Sequence, residues 1–226
     1  MRPSWRPLKL NCAVESLEAS EHLSDSQRVP ILEAYWRRAL NLALLILALG
    51  IAVVEAGPAP VPEWIWHDNE GRAPAEHEIR FFRKTFTVEG DVSKALLCVA
   101  ADDHVVVFIN GKQVLRTDSY EKADAVEVTK EIRVGENLIA VRAQNDSGMA
   151  GFIGKLDLTF AVKKTHTIVT DISWLASKKE EAGWEKPGFV ATGWTRPASL
   201  GKLGAAPWGD VMTGTVLKPP DTAPQP

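Results

Sequence analysis

From about residue 62 onward, short β-branched and aromatic runs alternate with clusters of turn residues every 8 to 12 positions or so, the cadence of an antiparallel sandwich. Residues 81–88 are aromatic and β-branched and stop at the turn signal Glu89-Gly90-Asp91, which predicts one strand. Residues 95–100 and 105–109 are apolar enough for central strands, with Asp102-Asp103-His104 as a short polar connection. Asn110-Gly111 follows at once. Both residues tolerate positive φ, so this dipeptide predicts a type I′ hairpin returning into residues 112–115.

Further along, residues 125–128 and the alternating residues 138–143 predict two more strands, and residues 145–151 a loop. Residues 152–162 close the set, with Leu156, Leu158 and Phe160 spaced by two on one strand face. About eight strands result, a jelly-roll count. The expected fold is all-β, an antiparallel jelly-roll β-sandwich over residues 57–162 preceded by an N-terminal apolar signal helix. A tryptophan-rich extension over residues 163–210 is expected to pack on it, and residues 211–226 to form a disordered Pro-rich tail.

The N-terminal part follows a different pattern. Residues 39–54 are uncharged and apolar, follow Arg37-Arg38, and lead to Val54-Glu55-Ala56 with small residues at the positions expected for cleavage after Ala56. This predicts export to the periplasm, cell surface or extracellular space, with residues 1–38 a polar and basic leader and 39–56 the signal. The run is short for a permanent membrane anchor; an uncleaved signal is the one route by which the chain would contact a membrane. Val29 is an alternative start, since residues 1–36 are longer and more mixed in charge than a signal leader normally is.

Composition narrows the function classes. The 226 residues carry a net charge of −3 with no basic cluster, which argues against a nucleic-acid partner. The two cysteines, Cys12 and Cys98, form neither a disulfide framework nor a zinc spacing. Cys98 lies within an apolar run and reads as a buried packing residue rather than a reactive thiol. No nucleophile elbow, HExxH or P-loop occurs, so no enzyme is expected.

Three blocks resemble a known family. Phe81-Phe82-Arg83-Lys84-Thr85-Phe86, the stretch from Ala100 to Val114 with Asp102-Asp103 ahead of Phe108-Ile109-Asn110-Gly111-Lys112, and Val128-Thr129 with Gly135-Glu136-Asn137-Leu138-Ile139-Ala140-Val141 are similar in order and spacing to the galactose-binding-like sandwich. That sandwich is the sugar-binding domain of family 2 glycoside hydrolases and the N-terminal domain of bacterial α-L-rhamnosidases. In those enzymes the catalytic acids lie on other domains, so the resemblance implies a module without catalysis. The tryptophan block of residues 171–210 is similar to a stretch that in such hydrolases usually precedes the sandwich, whereas here it follows.

Glycan sites combine an aromatic face for the sugar's C–H surface with polar groups for its hydroxyls. The candidates are Trp64, Trp66, Trp184, Trp194 and Trp208 as platforms and Asp102, Asp103 and His104 as polar contacts. Each tryptophan could instead staple an irregular segment to the sandwich, with at least one of the set expected to be exposed. The Asp102-Asp103-His104 stretch could equally be a solvated turn. A structural calcium ion is compatible with this fold class, although no EF-hand ladder is present. The expected partner is a glycan or polysaccharide. The alternatives are a structural or protein-interaction domain binding an envelope protein, and an accessory fragment of a glycoside hydrolase.

Overall fold

A computed structural model describes Arg37 and residues 58–67, 74–161 and 164–221. The apolar run of residues 39–54 and the cleavage point after Ala56 lie outside the described residues. Contacts divide the chain into two units, residues 1–56 and 57–226, and the architecture below is that of the second. No helix among the described residues is long and apolar enough to cross a membrane.

Among the described residues, twelve strands run in chain order: β1 Glu63–Trp66, β2 Glu78–Val88, β3 Val92–Asp102, β4 His104–Ile109, β5 Lys112–Thr117, β6 Asp124–Glu127, β7 Gly135–Asn145, β8 Gly151–Phe160, β9 Thr165–Val169, β10 Leu175–Ser177, β11 Ala198–Lys202 and β12 Val216–Lys218. They form two sheets. The first has the order β11-β1-β8-β3-β6-β12, with β9 also paired to β8; the second is β10-β2-β7-β4-β5. The long pairs β3 with β8 and β2 with β7 are antiparallel along almost their whole lengths, as expected for a sandwich.

Alternation assigns the faces. Phe82, Phe86 and Val88 of β2, Val105, Val107 and Ile109 of β4, and Ile139, Val141 and Ala143 of β7 point inward. There they meet Leu97 and Val99 of β3 and Phe152, Leu156 and Leu158 of β8 in one apolar core. The residues between them on β2, β4 and β7 point the other way. Phe81, Val106, Phe108, Leu138 and Ala140 form a second buried cluster on the outside of the five-stranded sheet.

The hairpin expected at Asn110-Gly111 is present, with φ of 53° and 87° and Ile109 paired to Lys112. Asn110 is further tied by its side chain, whose Nδ2 donates to Glu131 O at 2.9 Å and whose Oδ1 accepts from Leu138 N at 2.9 Å. Cys98 is buried, and burial pushes its thiol pKa up, so the nucleophilic thiolate is disfavoured.

Two expectations need correction. The strand set does not close at residue 162, because β9 joins the edge of β8, and β10 and β11 extend the sheets beyond it. The Pro-rich end is not a free tail up to residue 221. Val211 is fully buried, β12 lies parallel to β6, and Asp221 N donates to Val114 O at 2.9 Å. Its prolines and lack of a regular period hid this segment, since its order comes from burial of Val211 and backbone pairing with a sheet edge rather than from a pattern of its own.

Gly111 adopts φ +87, and a Cβ there would meet Lys186 Cγ at 3.2 Å. Gly111→Ala is therefore expected to cost about 1 kcal/mol or more of stability, read as a lower midpoint in urea unfolding.

Candidate functional site

The polar connection Asp102-Asp103-His104 is where the chain leaves one sheet for the other, from the end of β3 to the start of β4. Its three side chains diverge. Asp102 turns to the sandwich end, where its Oδ2 accepts from Trp208 Nε1 at 2.8 Å. Asp103 Oδ2 accepts from Asp146 N at 2.7 Å, pinning the β7–β8 loop. His104 faces outward, with Nε2 2.8 Å from Asp146 Oδ2.

Burial, together with the neighbouring Asp103 charge, raises the Asp102 pKa, against the lowering effect of the Trp208 bond. Asp146 is held below the usual carboxylate range by hydrogen bonds from Gln144 and then His104. The Gln144 Nε2 to Asp146 Oδ1 distance is 2.9 Å. These contacts fix His104 and Gln144 side by side, as their register across β4 and β7 requires.

The next row of the same face runs across four strands as Phe81, Arg142, Val106 and Arg116. His104, Arg116, Asp118, Arg142 and Gln144 line an open groove of about 460 Å³ floored by Val106. Arg116 and Asp118 are exposed, and His104, Arg142 and Gln144 half-buried. Among the described residues no carboxylate lies within 4 Å of either guanidinium; Arg142 Nη2 makes only a long 3.4 Å bond to Gln144 Oε1.

The tryptophans do not form a platform. Trp64 and Trp66 on β1 are fully buried, Trp64 stacked on Trp208 with centroids 4.3 Å apart. Trp66 lies against Phe82 and donates from Nε1 to Glu78 Oε1 at 2.7 Å. Trp184 is met edge-on by Phe81 at 5.0 Å and Phe108 at 5.6 Å and stacks with Trp194. Trp194 in turn donates to Glu181 Oε1 at 2.9 Å.

The expectation of an exposed member among Trp64, Trp66, Trp184, Trp194 and Trp208 is thus corrected, for each is at most 8% exposed. They anchor the chain that wraps the sandwich, Trp184 and Trp194 over the outer cluster and Trp208 over its end. A wrapping segment with little regular structure needs such large rings to offset its ordering entropy.

Of the candidate polar residues, His104 reaches the groove, Asp103 holds the adjoining loop, and Asp102 is taken up by Trp208. Arg116, Arg142, Gln144, Asp118 and Asp146 were missed from the sequence. The available signal was the outward register of polar residues on strands whose other face is apolar, at Arg142 and Gln144 within residues 138–145. No group of three or more His, Cys, Asp or Glu able to hold a metal occurs among the described residues.

Comparison with known proteins defines the class. No family model matches the chain. The chain is 34% identical over 173 residues to an α-L-rhamnosidase of Streptomyces avermitilis, covering 69% of this chain and 17% of that enzyme. The crystal structure of that rhamnosidase with L-rhamnose matches with a TM-score of 0.63, over 68% of this chain and 16% of the other. A lectin from Pleurotus ostreatus, solved with GalNAc, is 31% identical with a TM-score of 0.62 over 68% of this chain and 48% of the lectin.

The fold is accordingly the galactose-binding-like β-sandwich that the sequence resembles, with α-L-rhamnosidase and lectin sandwiches as its neighbours. The chain spans less than a fifth of the rhamnosidase and about half of the lectin.

Two predictions test the structural roles. Trp184→Ala, which opens the outer cluster, should lower stability by about 3 kcal/mol in urea unfolding. Asp102→Asn keeps an acceptor for Trp208 Nε1 and removes the titrating carboxyl. Because the folded-state pKa of Asp102 is raised, the proton it binds favours folding below the ordinary value of 3.8, and that contribution is lost as pH rises through the folded pKa. The variant should therefore have the higher unfolding midpoint near neutral pH and lose that advantage below the ordinary carboxylate value, as measured by urea unfolding across pH.

Proposed function

We propose that the chain is an exported, non-catalytic carbohydrate-binding module that holds a glycan in the groove on the outer face of β4, β5 and β7. The observation that carries this reading is the convergence of His104, Arg116, Arg142 and Gln144 on one open groove of a sandwich with two sugar-related neighbours. Strand register sets the spacing of these groups and the Asp146 bonds hold His104 and Gln144, so the groove is pre-organised for a ligand with hydroxyls in fixed positions. With the tryptophans committed to packing, affinity rests on hydrogen bonds rather than ring stacking. Export is inferred from the apolar run of residues 39–54 and its flanking residues.

A second reading has its own support. The match to 17% of an α-L-rhamnosidase is what an accessory module of a glycoside hydrolase would give, acting to keep an enzyme on its polysaccharide. Both readings share one binding event.

Titration calorimetry of the full chain with L-rhamnose, GalNAc and short oligosaccharides, with and without chelator, checks it. Saturable binding weakened roughly tenfold by His104→Ala and by Arg142→Gln is expected. Loss with chelator would assign a calcium ion to the site. No saturable binding from a folded sample would remove the carbohydrate reading and leave a protein partner.

A further inference from the structure

We infer that the groove selects an acidic saccharide, gripping a uronic-acid carboxylate with Arg116 and Arg142; this rests on the carbohydrate-binding reading and names its ligand class. Arg142 of β7 and Arg116 of β5 are opposite the same residue, Val106 of β4, on its two sides. Their Cα atoms are therefore about 10 Å apart on one sheet face. Both guanidiniums line the groove above the short valine.

Neither cation has a carboxylate within 4 Å among the described residues, although the chain as a whole is acidic. Other arginines and lysines of this domain are engaged, Arg80 with Glu78 at 2.7 Å, Lys112 with Glu131 at 2.8 Å, and Arg83 and Arg133 with the backbone carbonyls of Lys186 and Glu136. Asp146, on the loop after β7, is already shared by His104, His77 and Gln144. Asp118 is exposed and also lines the groove, so two arginines against one carboxylate leave it one excess positive charge.

Donors outnumber acceptors on this surface. Two guanidinium forks face ligand space against the Asp118 carboxylate, whereas His104 Nε2 and Gln144 Nε2 are engaged with Asp146 and Gln144 Oε1 accepts from Arg142. A neutral sugar, whose hydroxyls offer and accept in equal measure, would leave many of these donors served only by water. A carboxylate supplies two acceptor oxygens in the planar geometry that a guanidinium fork matches bidentately. No tryptophan lines the groove, so the C–H face of the sugar finds no stacking ring to carry neutral recognition.

The full chain is titrated with trigalacturonate, with its methyl ester as a neutral probe of the same shape, and with a sulfated disaccharide. Trigalacturonate is expected to bind at least about tenfold more tightly than the ester, and more weakly as salt rises. Arg116→Gln and Arg142→Gln should each weaken trigalacturonate more than they weaken the ester, so that the acid-over-ester preference falls roughly tenfold, and Arg116→Lys should recover only part of it. Arg116 is exposed, so its variants are expected to keep the parent unfolding midpoint and report on binding alone.

Equal binding of acid and ester, or acid binding indifferent to both substitutions, would overturn the acidic-ligand assignment with the carbohydrate module intact. Preference for the sulfated disaccharide over trigalacturonate would overturn the carboxylate class. Absence of binding to every saccharide would overturn both readings together.

Discussion

The sheet β10-β2-β7-β4-β5 carries apolar side chains on both faces, and the rest of the domain is arranged around covering them. Each large residue left exposed there would forfeit roughly 2 kcal/mol of burial. The inner face meets the seven-stranded sheet, as in any sandwich. The outer face, with Phe81, Phe108 and Leu138, has no second sheet and is covered by the chain around Trp184, Phe189 and Trp194. Arg83 contributes to the same cover, lying over the Phe189 ring at 5.0 Å while its guanidinium donates to Lys186 O.

That cover is incomplete, and its limit coincides with a change in the sheet itself. Along β4 and β7 the outward residues pass from Phe108 and Ala140 to Val106 and Arg142, and then to His104 and Gln144. Where the outward positions are apolar the wrapping segment lies on them; where they become polar the face lies open as the groove. The groove is thus the uncovered remainder of one sheet, and its rigidity is that of the strands beneath it. Functional groups on strands are held more tightly than groups on loops.

The same sheet crossing serves structure and site together. Asp102, Asp103 and His104 are consecutive, yet one bonds the tryptophan that caps the sandwich end, the next holds the loop after β7, and the third faces the groove. Asp146 links the last two, since its amide binds Asp103 and its carboxylate binds His104. A change at any one of them reaches the others through this short chain of bonds.

The sequence alone determined the sandwich, because period-two alternation and turn residues are local signals: residues 81–88, the Asn110-Gly111 turn and the Leu156, Leu158 and Phe160 face all follow from neighbours in the chain. It also singled out the Asp102-Asp103-His104 stretch, although which of the three side chains faces ligand space could not be read from three adjacent polar residues. Tertiary structure decided everything that depends on distant partners. Tryptophan is suited both to a sugar platform and to a buried staple, and only packing against Phe81, Phe108 and Trp64 settled that Trp184, Trp194 and Trp208 are staples. Residues 211–221 acquired order from an edge supplied by β6, and Arg116, Arg142 and His104 became one site only because strand register sets three separate strands side by side.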